Sequence, residues 1–285
     1  MAGRSMVTVG RQSPQSVSLE GIVGLLPDLV VASLHMIPGG ENDLLVQRLQ
    51  SFGIPVVFSD VSSNDEAVAA GDSGVLDRLR RHMKMWGQIL GQEEKAGDFV
   101  SFTERQIRQV KDRLVDVTPV VTYLEIQSTL TDCCWAAGNR IWGELLEIAG
   151  GRTLAGVTAP WFQKLQLEYL ISTPHDVYIA SGGSWAAEGR PKIGPELDPK
   201  EGRLGLEALT KRPGFHHLDS VKNGRVHGIW TGLISALPLN ILFVERVAGW
   251  LHPDTRKDIN PDQTLAEMNE RFFARPIVGP LWASL

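Results

Sequence analysis

Gly87-Gln-Ile-Leu-Gly-Gln-Glu-Glu-Lys-Ala96 continues through Phe99, Phe102, Ile107, Val110 and Leu114. Apolar residues recur three or four apart and charges fill the gaps, which predicts one long amphipathic helix from about Met85 to Val115. The stretches on either side of it resemble each other. Before it stands Leu19-Glu-Gly-Ile-Val-Gly-Leu-Leu-Pro-Asp-Leu-Val-Val-Ala-Ser33, and after it Leu167-Glu-Tyr-Leu-Ile-Ser-Thr-Pro-His-Asp-Val-Tyr-Ile-Ala-Ser181. Each reads Leu-Glu, an apolar helix end, a proline, an aspartate shortly after it, and a short apolar strand closing on Ala-Ser. The repeat predicts an α/β protein of two lobes, each a parallel-type sheet with flanking helices. One rigid helix would join the lobes, with a ligand cleft between them. The expected divisions are an N-terminal lobe over 1–84, the joining helix over 85–115 and a C-terminal lobe over 116–285.

The chain has 285 residues, enough for two modest domains, and its 43% hydrophobic and 21% charged content is that of a globular protein. A net charge of -5 and the lack of a basic run argue against nucleic-acid binding. No apolar stretch approaches the ~20 residues that span a bilayer, and the first residues lack the apolar core of a signal peptide. Taken literally, the start implies a cytoplasmic chain. The cysteines, Cys133 and Cys134, are adjacent. Bridges between neighbours are rare, so two free, buried thiols are expected.

Leu29–Ala32 and Ile54–Phe58 read as strands flanking a helix over Asn42–Phe52, a βαβ unit. A helix from about Val75 to Leu90 leads into the joining helix. The second half is expected to contain a strand over Val117–Ile126, a helix over Trp135–Ala149 and a short strand near Thr153. The repeated helix–strand unit follows, then a Gly- and Pro-rich excursion over 187–204, a helix over Leu204–Lys211, a strand ending at Trp230 and a helix over Pro238–Leu251. A tail runs to Leu285.

Ligands of open parallel sheets gather at the carboxyl ends of the strands. Those ends carry Ser33 and His35, Ser59, Gln127 and Trp135, Trp185, and Trp230 with Thr231. Trp161 stands in another loop of the second half. Aromatic faces with few charges suit a large, flat or partly apolar ligand, so these residues are the candidate ligand-binding set. Catalytic signatures are lacking: there is no nucleophile elbow, phosphate-cradling loop or paired-histidine zinc motif. Gly182-Gly183 has no continuing glycine pattern. His216, His217 and His227 are close in sequence but would point apart on extended chain, so they read as surface or structural residues and no metal site is expected. Asp60, Asp65 and Glu66 read as a solvated loop rim.

Further segments complete a resemblance. Val9-Gly10 precedes the first repeat, and Phe52-Gly-Ile-Pro-Val-Val57 follows it. Later come Glu144-Leu-Leu-Glu-Ile-Ala-Gly-Gly151, Val221-Lys-Asn-Gly-Arg-Val226 and Trp250-Leu-His-Pro-Asp254. In this order, from about Val9 onward, the chain resembles the substrate-binding proteins of ABC importers for iron complexes and corrinoids, the class with one helix between its lobes. The resemblance implies capture of an iron chelate, a ferric siderophore or haem, and its delivery to the ABC permease subunits in the membrane. It implies no catalysis, no cofactor of the protein's own, and a monomer working in the periplasm or as a membrane-anchored extracellular protein. Glu20 and Glu168 match the lobe-surface glutamates that meet permease arginines, Glu168 with a one-residue spacing difference. Ser33 stands where a corrinoid binder may carry an aromatic, which disfavours a corrinoid, although Pro160-Trp161 resembles such a binder's cleft loop. Family members carry a signal and a first strand and helix ahead of the Val-Gly segment, where this chain enters. A late start codon and a truncated, inactive relative are both consistent with that departure. A two-lobed enzyme for a metallocluster or tetrapyrrole is the rival from another class, and it would need convergent Cys or His ligands.

Overall fold

A computed structural model describes residues 7–10, 14–59, 64, 74–130, 133–254 and 259–285. Asp60, Asp65 and Glu66 lie outside the described residues. The chain divides into two compact units, Met1–Asp72 and Ser73–Leu285.

In the first unit, helix α1 (Leu19–Gly24) opens where the Ser18 hydroxyl accepts a hydrogen bond from the Gly21 N–H at 3.0 Å. The chain turns through Leu26, at φ 48, and Pro27 into β1 (Val30–Ala32). Helix α2 (Leu44–Ser51) is capped by the Asp43 carboxylate, which accepts from the Leu45 N–H at 2.9 Å. Strand β2 (Val56–Phe58) then pairs parallel to β1, with Val30 opposite Val56. This is the expected βαβ unit. Ile22, Leu49 and Ile54 form its small core. Among the described residues β1 pairs with β2 alone. An apolar hollow of about 410 Å³, lined among others by Ile22, Val30, Val31, Met36 and Leu49, lies in this unit.

The second unit opens with α3 (Val75–Leu90) and α4 (Glu93–Arg113). The single helix expected over 85–115 is therefore two helices. Gly91 adopts φ 61, and its N–H closes α3 on the Gly87 and Gln88 carbonyls. The amphipathic period continues across this break, so spacing alone does not reveal it. The apolar face of α4, Phe99, Phe102, Ile107 and Val110, joins the same buried cluster as Leu146 and Phe243. The helical run thus belongs to the second unit, whereas the sequence reading placed boundaries after 84 and after 115.

Strands β3 (Val120–Glu125), β4 (Trp135–Ala137), β5 (Gly151–Arg152), β6 (Phe162–Lys164), β7 (Val177–Gly182), β8 (Val226–Trp230) and β9 (Trp282–Ser284) make one sheet. Its order is β6-β4-β3-β7-β8-β9, with β5 pairing β3. β3, β7 and β8 are parallel, while β4 and β9 run antiparallel to their neighbours. Helices α5 (Ile141–Ile148), α6 (Leu167–Ser172), α7 (Pro199–Thr210), α8 (Asp219–Lys222), α9 (Gly232–Ser235), α10 (Asn240–Leu251) and α11 (Pro261–Arg271) complete the unit. Successive side chains enter separate cores: Leu124, Ile179 and Ile229 pack with α4, α5 and α10, while Tyr123, Tyr178 and Val226 pack with α6 and α7. Both faces of β7 are buried along its length, as a continuous apolar strand requires.

Trp135 does not begin a helix. It begins β4, and the helix starts at Ile141. Gly138 makes the difference, because its N–H donates to the Trp161 carbonyl at 2.6 Å and a Cβ there would overlap the Pro160 carbonyl. Replacing Gly138 with alanine is expected to cost about 1–3 kcal/mol by overpacking this corner. Chemical denaturation checks this, and an unchanged midpoint would show that the corner can relax. The pair Cys133–Cys134 also departs from expectation. The residues are bridged to each other across a cis peptide, with Cα atoms 3.2 Å apart. The general rarity of such bridges carried no information about this local geometry.

Candidate ligand-binding site

In the first unit the ends of β1 and β2 bring two candidates together. The Ser59 N–H donates to the Ala32 carbonyl at 3.0 Å, beside Ser33. The Ser33 hydroxyl accepts from the Met36 N–H at 3.3 Å, fixing a turn on which His35 is exposed.

In the second unit the carboxyl ends of β3, β7 and β8 carry the remaining candidates except Trp161. Gln127 is half-buried in the turn after β3. Trp135 lies beside it, because the Ile126 N–H donates to the Trp135 carbonyl at 2.9 Å. The register of β6 places Lys164 opposite Trp135 and Phe162 opposite Ala137. The Lys164 ammonium stands 5.6 Å from the centre of the Trp135 ring, and Phe162 meets that ring edge-on at 5.5 Å. Trp161 precedes Phe162, at the far end of β6 from Trp135, and packs on Phe162 and Trp142 at 4.5 and 6.0 Å.

Trp185 is 54% exposed and folds over Gly183. Trp230 is half-buried between Gly194 and Gly232, both of which would meet its indole if they carried a Cβ. The Thr231 hydroxyl is already engaged, donating to the Gly182 carbonyl at 2.9 Å. Gly182 itself makes room for Ile193, so the glycine pair serves packing. The Ala187 N–H donates to the Thr129 carbonyl at 3.0 Å, which lays the loop after β7 on the loop after β3. Gln127, Trp135, Trp185, Trp230 and Thr231 thus stand along one end of one sheet. Ser128 and Ser181, fully buried at the same end, escaped the sequence reading. The strand-end loops from Gln127 and from Ser181 pointed to this end of the sheet without singling out either serine.

His216 and His217 stand on a 3-10 turn and not on extended chain, so their exposed rings come within 3.9 Å of each other and do not point apart as expected, while His227 stacks on Trp250 at 4.4 Å. Burial first, then Arg225 and Arg246, lowers His227 to about 4. Among the described residues no group of three His, Cys, Asp or Glu side chains could hold a metal ion. No helix among them is long and apolar enough to cross a membrane. Glu20 and Glu168 are both exposed in the first turn of six-residue helices that lead into strands, one in each unit.

A family model described as periplasmic binding protein matches residues 6–229. An uncharacterized ABC transporter substrate-binding lipoprotein of Bacillus subtilis is 20% identical over 254 residues, covering 88% of this chain and 70% of its own length. A vitamin B12-binding protein of Photorhabdus laumondii is 25% identical over 170 residues, covering 59% of this chain and 55% of its own length. Among solved structures, the TroA-like periplasmic binding protein FepB of Veillonella parvula is 21% identical with a TM-score of 0.77, covering 98% of this chain and 77% of that one. At that identity it shows the fold, a two-lobe α/β binding protein.

Proposed function

We propose a function from one premise: this chain belongs to the periplasmic binding protein family. It is a substrate-binding protein of an ABC transporter, and its family works in transport rather than in catalysis. The finer reading is that it takes an iron chelate, a ferric siderophore or haem, and presents it to a membrane permease from outside the cytoplasmic membrane. The observation that carries this reading is the set of indole faces, Trp135, Trp185 and Trp230, at the carboxyl ends of the second unit's strands. A broad ligand with apolar faces matches such a surface, and a few polar groups orient it. Ser33, His35 and Ser59 of the first unit and Gln127, Trp135, Trp161, Trp185 and Trp230 of the second are the proposed ligand-binding residues, and Thr231 stands among the latter with its hydroxyl given to the Gly182 carbonyl. The rival enzyme reading needs convergent Cys or His ligands, and among the described residues no group of three His, Cys, Asp or Glu side chains could hold a metal ion. A corrinoid is the second reading, favoured by the vitamin B12-binding relative.

Native mass spectrometry of the purified protein with haemin, ferrichrome, ferric enterobactin and cyanocobalamin tests the choice. A retained one-to-one complex with an iron chelate supports the proposal. Retention of cyanocobalamin alone replaces it with the second reading, and retention of none contradicts both.

Glu20 and Glu168 occupy equivalent places in the repeated helix–strand units and are the proposed permease contacts. Charge reversal at both, Glu20→Lys with Glu168→Lys, is expected to abolish uptake into cells carrying the cognate permease. Ligand affinity should hold, and stability should move by no more than about 0.5 kcal/mol, because both side chains are exposed. Uptake at the unsubstituted rate would remove these residues from the docking surface.

A further inference from the structure

At the candidate site β3 and β7 are last in register at Glu125 and Ala180, and β7 and β8 at Gly182 and Trp230. Beyond these points single backbone bonds remain, the Thr231 N–H to the Gly182 carbonyl at 2.9 Å and the Ala187 N–H to the Thr129 carbonyl at 3.0 Å, and side-chain hydroxyls add to them. Ser128 Oγ donates to the Ser181 carbonyl at 2.5 Å, and Ser181 Oγ donates back to the Ile126 carbonyl at 2.7 Å. Thr231 Oγ1 donates to the Gly182 carbonyl at 2.9 Å. Ser128 and Ser181 are 0% exposed, so each hydroxyl satisfies a carbonyl that water does not reach. The ties join the end of β7, from which the Trp185 loop leaves, to the turn after β3 on one side and to the residue after β8 on the other.

We propose that Ser128, Ser181 and Thr231 are positioning residues that hold the loops of the candidate site in one geometry before any ligand arrives. Thr231, read from sequence as a ligand contact, acts in this account through the Gly182 carbonyl. A loop held beforehand loses less conformational freedom on binding, so the ties raise affinity without touching the ligand. That consequence rests on the proposed function, whereas the positioning itself does not.

The experiment is amide hydrogen exchange on the full chain without ligand, comparing the unsubstituted protein with Thr231→Val, Thr231→Ser and Ser128→Ala. Valine keeps the shape of threonine and removes the donor. Exchange over 127–130 and 183–187 is expected to rise about tenfold or more in Thr231→Val and Ser128→Ala. It should return toward the original rate in Thr231→Ser and stay unchanged in α10. Unchanged loop exchange in Thr231→Val would overturn the proposal. So would a rise spread evenly through the sheet and helices, which would mean the hydroxyls serve global stability alone. Should Ser128→Ala fail to fold, the threonine pair decides. Fluorescence titration with haemin, ferrichrome and cyanocobalamin is run in parallel. A loss of affinity of about fivefold in Thr231→Val, restored in Thr231→Ser, supports the consequence for binding, and equal affinity overturns it. If the unsubstituted protein binds none of the three, the functional reading fails while the exchange data still decide the positioning.

Discussion

Replacing Arg212 with methionine is expected to destabilise the protein by about 3–5 kcal/mol, the cost of leaving a buried charge without its partner. The partner is Glu125, 0% exposed at the end of β3. The Arg212 guanidinium donates to both of its carboxylate oxygens, at 2.9 and 2.6 Å, and to the Tyr178 hydroxyl at 2.8 Å. The Tyr178 hydroxyl donates in turn to Glu125, and the guanidinium lies 3.8 Å from the centre of the Phe215 ring. Burial by itself would lower the Arg212 pKa, but Tyr178 and Glu125 more than reverse this and hold it above the ordinary value. Burial, then the Glu125 charge, pushes the hydroxyls of Tyr123 and Tyr178 well above the ordinary range. Adding Glu125→Gln to Arg212→Met should recover part of the loss, because the orphaned charge goes with it. Urea titrations of the two singles and the double measure that coupling. A loss below about 1 kcal/mol for Arg212→Met would mean that water reaches Glu125 and the pair is not a buried one.

Glu245→Gln is expected to stabilise the protein at pH 8 by as much as about 3 kcal/mol and to change little at pH 4. Glu245 is 3% exposed on α10, and Thr264 donates to one carboxyl oxygen at 2.9 Å. The other oxygen has no partner. Burial raises its pKa to about 7 from 4.5, against smaller opposing effects of Thr264 and Arg246. The folded state therefore holds this proton more tightly than the unfolded chain. The stability it contributes is fully present below about 4.5 and is lost as pH rises through 7. His227 acts in the opposite sense: with its pKa lowered to about 4, it contributes stability above 6.5 that is lost as pH falls through 4. Glutamine at 245 removes the alkaline slope alone. Denaturation midpoints at pH 4, 6 and 8 show this directly. Parallel pH profiles for the two proteins would place Glu245 in contact with solvent.

The repeated helix–Pro–Asp–strand unit was legible in the sequence because it is local. Leu-Glu opens a short helix, proline stops it and an apolar run makes the strand, and α1–β1 and α6–β7 follow that reading. The helix Val75–Leu90 was also read at its observed limits. The failures share a cause. β4, β6 and β9 are three residues each, too short to show a period, and they exist through pairing with distant chain. Trp135 was absorbed into the helix after it, and α11 and β9 were read as tail. The break at Gly91 hid in an unbroken amphipathic pattern. Of the candidate site, the tryptophans were singled out because indole rings beside strand ends are conspicuous. Ser128 and Ser181 were not, since a serine in a polar loop looks the same whether it faces water or ties two strands. The Glu125–Arg212 pair, 87 residues apart, left no local mark.

The central claim is that a broad ligand sits on the carboxyl-end loops of the second unit's sheet. Tryptophan fluorescence titrated with haemin, ferrichrome and cyanocobalamin, in the unsubstituted protein and in Trp135→Phe, Trp230→Phe and Trp86→Phe, tests it most directly. The account predicts saturable quenching by one probe at micromolar concentration or below, with the quenched amplitude reduced by Trp135→Phe and Trp230→Phe and untouched by Trp86→Phe on α3. Quenching that both site variants leave at full amplitude, or no quenching of the folded protein by any probe, would contradict it.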